Sequence, residues 1–227
     1  MTGERDDVKP FDLRELDTID FEDDDAEAAF ELYLGRMLDS FNASDEGRAL
    51  PAMRDAKENG WDALRMIDFG WNEIGATPAT MSRDELAEIL TGIFPRNMIL
   101  DDPADAATII PELRAFWQWA GRANGLGNAA DMLGLLDELE REYPAMMNDP
   151  ARYSPQKAVV LLGIEAGYDM HDPEQSQAFI DLFEAAVARD TAAAAASIVR
   201  AAQKKYEAKA KQKRKMEKAS RKRNRRK

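Results

Sequence analysis

Large apolar side chains recur every three or four residues along most of this chain. Nowhere do apolar and polar residues alternate with a period of two. Spacing of three and four puts side chains on one face of an α-helix, whereas a half-buried strand needs alternation. The chain therefore reads as all-α, a multi-helix bundle of about seven to nine helices. Phe30, Tyr33, Leu34, Met37, Leu38 and Phe41 form the first stripe, and Trp61, Leu64, Ile67, Trp71 and Ile74 the second. Gly75 and Pro78 close that second helix. Pro51 leaves residues 45–58 ambiguous, because proline interrupts a long helix.

Ser82 and Glu85 have the spacing of a capping box. The helix they open carries Leu86, Ile89, Leu90, Ile93 and Phe94, and Pro95 is expected to end it. A loop over 96–105 leads to a helix with Pro111 in its first turn and Leu113, Phe116, Trp117 and Ala120 on one face. It closes near Asn124 and Gly125. Trp117 and Trp119 fall on different faces, so one of them is expected to be exposed or to cover a neighbouring element. Asn128 is expected to cap a helix bearing Met132, Leu133, Leu136, Leu139 and Tyr143. Ser154-Pro155 starts another, ended by Gly167. Asp172-Pro173 starts the last, with Phe179, Leu182, Phe183 and Ala186. Ala is the best helix former, so that helix is expected to run on through the Ala-rich stretch 192–196.

Charge divides the chain more sharply than hydropathy does. Residues 204–227 hold fourteen Lys or Arg against two Glu, a net +12, while residues 1–203 hold seventeen basic against forty-one acidic residues, a net −24. The overall net charge of −12 describes neither part. The expected organisation is an acidic, disordered leader over 1–23, a single helical domain over 24–203 and a basic tail over 204–227, helical or disordered. In the tail, basic residues surround the helix axis and only Tyr206 and Met216 are large and apolar. A membrane-surface helix needs an apolar face, so polyanion contact is the better functional reading. The residues that would carry it are Lys204, Lys205, Lys209, Lys211, Lys213, Arg214, Lys215, Lys218, Arg221, Lys222, Arg223, Arg225, Arg226 and Lys227.

Residue types exclude much chemistry. The chain has no Cys, which removes disulfides, zinc-thiolate sites and iron–sulfur clusters, and one His, which excludes two-His metal sites. That residue, His171, precedes a helix start and reads as a loop or capping residue. Gly125, Gly127 and Ala130 match the GxGxxA phosphate turn, but helical spacing precedes them where a strand is needed, so they read as a helix–helix turn. Asp20, Glu22, Asp24 and Glu31 fall at ligand positions of a calcium loop, yet Asp25 stands where the sharp turn requires Gly. The tryptophans, and Met146-Met147, read as core filling. No catalytic set, metal or cofactor is expected. The acidic, polar start and the shortness of apolar runs such as 158–164 lead to the expectation of a soluble, cytoplasmic chain.

The strings FPRN (94–97), PELRAFWQW (111–119), MNDPARYSPQKAVV (147–160) and DPEQSQAFIDLF (172–183) carry a family likeness. Over roughly 82–186 the chain resembles a helical region of unknown function in bacterial plasmid open-reading-frame and transposon-passenger proteins, some of whose relatives carry the SEC-C zinc motif. The basic ending is similar too. The resemblance implies an all-helical fold and a link to mobile elements by name, with no catalytic residues to carry over. A chain without Cys has no SEC-C motif. Two functional readings follow. The first is a non-catalytic interaction module that docks a protein partner while its tail contacts RNA, DNA or another polyanion. The alternative is an accessory domain of a nucleic-acid-processing or mobile-element system, acting beside a catalytic partner.

Overall fold

The computed structural model describes residues 11–20, 23–51, 59–100, 102–188 and Lys204. Among the described residues there are ten α-helices and no strand, as the three-and-four spacing requires. The chain divides into two compact units, Met1–Arg152 and Tyr153–Lys227, and the stretch 24–203 has residues in both.

The first unit holds α1 (Ala26–Asn42), α2 (Asp45–Ala49), α3 (Trp61–Phe69), α4 (Arg83–Glu88), α5 (Phe94–Asn97), α6 (Ala106–Ala123), α7 (Ala129–Leu139) and α8 (Tyr143–Met147). A π turn over Gly70–Ile74 extends α3, and another over Ile89–Ile93 joins α4 to α5. Counted as two, that last run takes the helix number past nine. The Ser82–Glu85 capping box forms as expected, with Ser82 N–H donating to Glu85 Oε2 at 2.6 Å and Glu85 N–H to Ser82 Oγ at 3.3 Å.

Helix α6 is the axis of this unit and packs against α2, α3, α7 and α8. Neighbours on several sides explain why Trp117 and Trp119 are both buried; of the two expected outcomes, exposure or cover of a neighbouring element, Trp119 takes the second. Trp119 sits among Phe11, Phe41 and Phe116, with ring centroids 6.3, 5.6 and 5.6 Å away. Aromatic side chains bury about 150–250 Å² each, so this group supplies much of the apolar area removed from water.

Four local expectations are corrected. Pro111 lies inside α6 rather than in its first turn, because a 3-10 turn over Pro103–Asp105 starts the helix earlier. Pro95 does not stop its helix. The preceding π turn carries the backbone past it to Asn97, and the Thr91 carbonyl, which a proline at i+4 cannot meet, accepts Arg152 Nη1 at 3.1 Å. Asn128 does not cap α7 with its side chain. Its Nδ2 instead donates to the Pro78 and Met81 carbonyls at 3.0 and 2.8 Å, tying α7 to the turn before α4. Tyr143 is not on α7: that helix ends at Leu139, and Tyr143 opens α8 with Pro144 in its first turn.

The disordered leader is also corrected where it is described. Residues Leu13–Thr18 form a 3-10 helix, and Leu13 and Leu16 are fully buried. Two leucines three residues apart eclipse in that geometry and enter the core together. Residues 1–10 lie outside the described residues.

The second unit holds α9 (Pro155–Glu165) and α10 (Pro173–Ala188). Ser154 Oγ accepts the Lys157 N–H at 3.0 Å, and Asp172 Oδ1 accepts those of Glu174 and Gln175 at 2.9 and 3.1 Å. Both starts match the sequence reading. Gly167 ends the α9 segment with φ 88°. Phe179 is buried, its ring centroid 5.3 Å from that of Tyr168. The expected continuation of the last helix through 192–196 lies outside the described residues.

Candidate functional site

Of the fourteen basic residues expected to meet a polyanion, Lys204 is described, helical and exposed. The other thirteen, Lys205 to Lys227, lie outside the described residues. Several arginines of the first unit are engaged in ion pairs. Arg114 bridges Asp137 and Glu140 at 2.9 and 3.0 Å, Arg122 meets Glu46 at 2.6 Å, and Arg83 meets Glu138 at 2.5 Å. The hydrogen bond from Arg122 holds the Glu46 carboxyl below the usual range.

Sequence reasoning missed two buried carboxylates. Asp62 on α3 and Glu112 on α6 are almost wholly enclosed. Glu112 Oε1 accepts the Asp62 and Ala63 N–H groups at 2.5 and 3.2 Å. It caps α3 because Gly60, the residue before that helix, has φ 101° and no side chain to do so. A signal did exist: a helix start without Ser, Thr, Asp or Asn needs its cap from elsewhere. Burial pushes the Tyr143 hydroxyl well above its ordinary pKa, and the Asp62 charge adds to this. The group is chemically an internal helix cap. With 5% exposure, Glu112 has no open face for a substrate.

Among the described residues no group of three or more His, Cys, Asp or Glu could hold a metal ion. Of the calcium-loop positions, Glu22 lies outside the described residues, and Glu31 is an exposed residue of α1. His171 lies in the turn before α10, where its N–H donates to Asp169 Oδ1 at 3.0 Å; Gly125–Asn128 forms the turn between α6 and α7, and Ala130 lies in the first turn of α7. Met147 is core, as expected. In the second unit, burial pushes Lys157 down to about 8, and its Nζ lies 4.1 Å from the centroid of the Tyr153 ring. A shallow groove of ≈ 390 Å³ runs between α2 and α6, floored by Ala49, Leu50, Pro111 and Ala115.

Compared with protein-family models, with curated proteins and with solved structures, the chain matches none. Among the described residues, no helix is long and apolar enough to cross a membrane.

Proposed function

We propose that this chain is a non-catalytic helical interaction module whose basic run, residues 204–227, holds RNA, DNA or another polyanion. The step from −24 over residues 1–203 to +12 over residues 204–227 carries this reading. Lys and Arg displace counterions from phosphates, which gives sequence-independent, salt-sensitive attachment. The acidic body repels the same phosphates, so contact concentrates on the run. Two further observations support it. Arg83, Arg114 and Arg122 are already paired with carboxylates and so offer no competing basic patch. The buried carboxylate Glu112 serves a helix end rather than a reaction.

The test compares the intact chain with one carrying Lys213, Arg214, Lys215, Arg221, Lys222 and Arg223 all changed to Gln. Retention on heparin and on RNA beads should fall sharply while helical circular dichroism stays the same. Equal retention of the two chains overturns the proposal. A pull-down with and without nuclease separates nucleic acid from protein as the material held.

A further inference from the structure

Residues 11–20, with the sequence FDLRELDTID, belong to the first unit and pack against its α1 and the end of its α6, with Leu13 and Leu16 in the core. Their own structure is a six-residue 3-10 helix, longer than such helices usually run, so the surface beneath imposes the shape. Leu13 and Leu16 are its two fully buried anchors. The Phe11 ring stacks 6.3 Å from Trp119, centroid to centroid, and lies 5.3 Å from Tyr33, with the Arg36 guanidinium 5.4 Å from its centroid.

The seat also reads the backbone. The Tyr33 hydroxyl donates to the Leu13 carbonyl at 3.1 Å, and Asn124 Oδ1 accepts the Leu13 N–H at 3.0 Å. It reads charge as well. Arg14 donates to the Asn124 and Gly125 carbonyls at 2.7 and 3.2 Å, at the end of α6 where the helix dipole is negative. Arg36 meets Glu15 at 2.8 Å, and Thr77 donates to Asp17. Side-chain pockets combined with main-chain hydrogen bonds are how folded domains recognise short peptide segments.

We propose that this seat is a recognition site for a segment of the same chemistry on a partner protein, and that residues 11–20 occupy it in cis and hold it closed. The partner segment carries an aromatic residue, leucines two and five residues later, an arginine just after the first leucine, and acidic residues alongside. This goes beyond the polyanion reading and uses none of residues 204–227. A tethered segment competes at an effective concentration on the order of millimolar. Free peptide therefore binds the native chain only weakly, and binds well once the cis segment is evicted.

The test uses the full chain and a dye-labelled FDLRELDTID peptide, read by fluorescence anisotropy. Leu13→Asp with Leu16→Asp in the chain evicts the cis segment and should raise affinity for the peptide at least about tenfold over the native chain. A peptide with both leucines replaced by Asp should not bind. If the double variant keeps its helical circular dichroism and binds no better than the native chain, the proposal fails. Should that variant lose its fold, Arg14→Glu decides, because Arg14 acts at the surface. Tighter peptide binding to it than to the native chain supports the seat, and equal binding overturns it.

Discussion

Glu112 on α6 caps α3 from fifty residues away in sequence, its Oε1 accepting the Asp62 N–H at 2.5 Å. The Ala63 N–H meets the same oxygen at 3.2 Å. Glu112→Ala leaves both donors buried without that acceptor and should lower stability by about 2–4 kcal/mol. Glu112→Gln keeps a carbonyl oxygen there and should cost about 1 kcal/mol. Urea unfolding midpoints check the order, and equal losses for the two variants would show that the cap is not what Glu112 contributes.

Two glycines should respond in opposite directions to alanine. A Cβ at Gly47 would run into the Phe41 carbonyl, so α2 or the end of α1 must shift. Gly47→Ala should destabilise by about 1–3 kcal/mol. Gly35 is exposed on α1 and nothing lies within 4 Å of its Cβ position, so Gly35→Ala should stabilise by about 0.5–1 kcal/mol. Thermal midpoints of the two variants test the contrast.

The sequence exposed what depends on local spacing and hid what depends on encounter. The α1 stripe was legible because Phe30, Tyr33, Met37 and Phe41 repeat at helical intervals, and those four are the buried residues of α1. The Ser82, Ser154 and Asp172 caps were legible because each acts within three residues of itself. Pro95 and Pro111 misled because a π turn and an early 3-10 turn each moved a helix boundary that proline alone seemed to set. Leu13 and Leu16 gave too short an apolar pattern to read, and their burial comes from a seat assembled far along the chain. Asp62 and Glu112 looked like two more carboxylates among forty-three, and only the crossing of α3 and α6 gives them a role. The residues of the proposed polyanion contact were read from charge alone.

At high pH the buried tyrosines should govern unfolding. Burial raises Tyr33, with the charges of Asp17, Glu15 and Asp12 adding to it, and burial raises Tyr143, with Asp62 adding. A folded-state pKa above the unfolded one gives stability that is whole below about pH 10 and is lost as pH rises beyond it. An ultraviolet titration should therefore show these two ionising together with loss of helical signal. Tyrosinate formation at five residues in an intact fold would contradict this.

On the acid side the Glu46–Arg122 pair sets the sign. The Arg122 hydrogen bond depresses the folded pKa of Glu46, so its contribution is present above about pH 4.3 and is lost as pH falls through the lower folded value. Arg122→Gln should move the Glu46 titration, followed by carboxyl-carbon magnetic resonance, back up toward the ordinary range. An unmoved Glu46 titration in that variant would show that another group holds it down.

The salt dependence of RNA binding bears most directly on the proposed function. Six phosphate contacts from residues 204–227 should make log K for a single-stranded RNA fall with log salt at a slope of roughly −4. With Lys213, Arg214, Lys215, Arg221, Lys222 and Arg223 changed to Gln, affinity should drop and the slope should become shallower, eight of the fourteen basic residues remaining. A substituted chain that keeps the affinity and slope of the native one would contradict polyanion contact through this run.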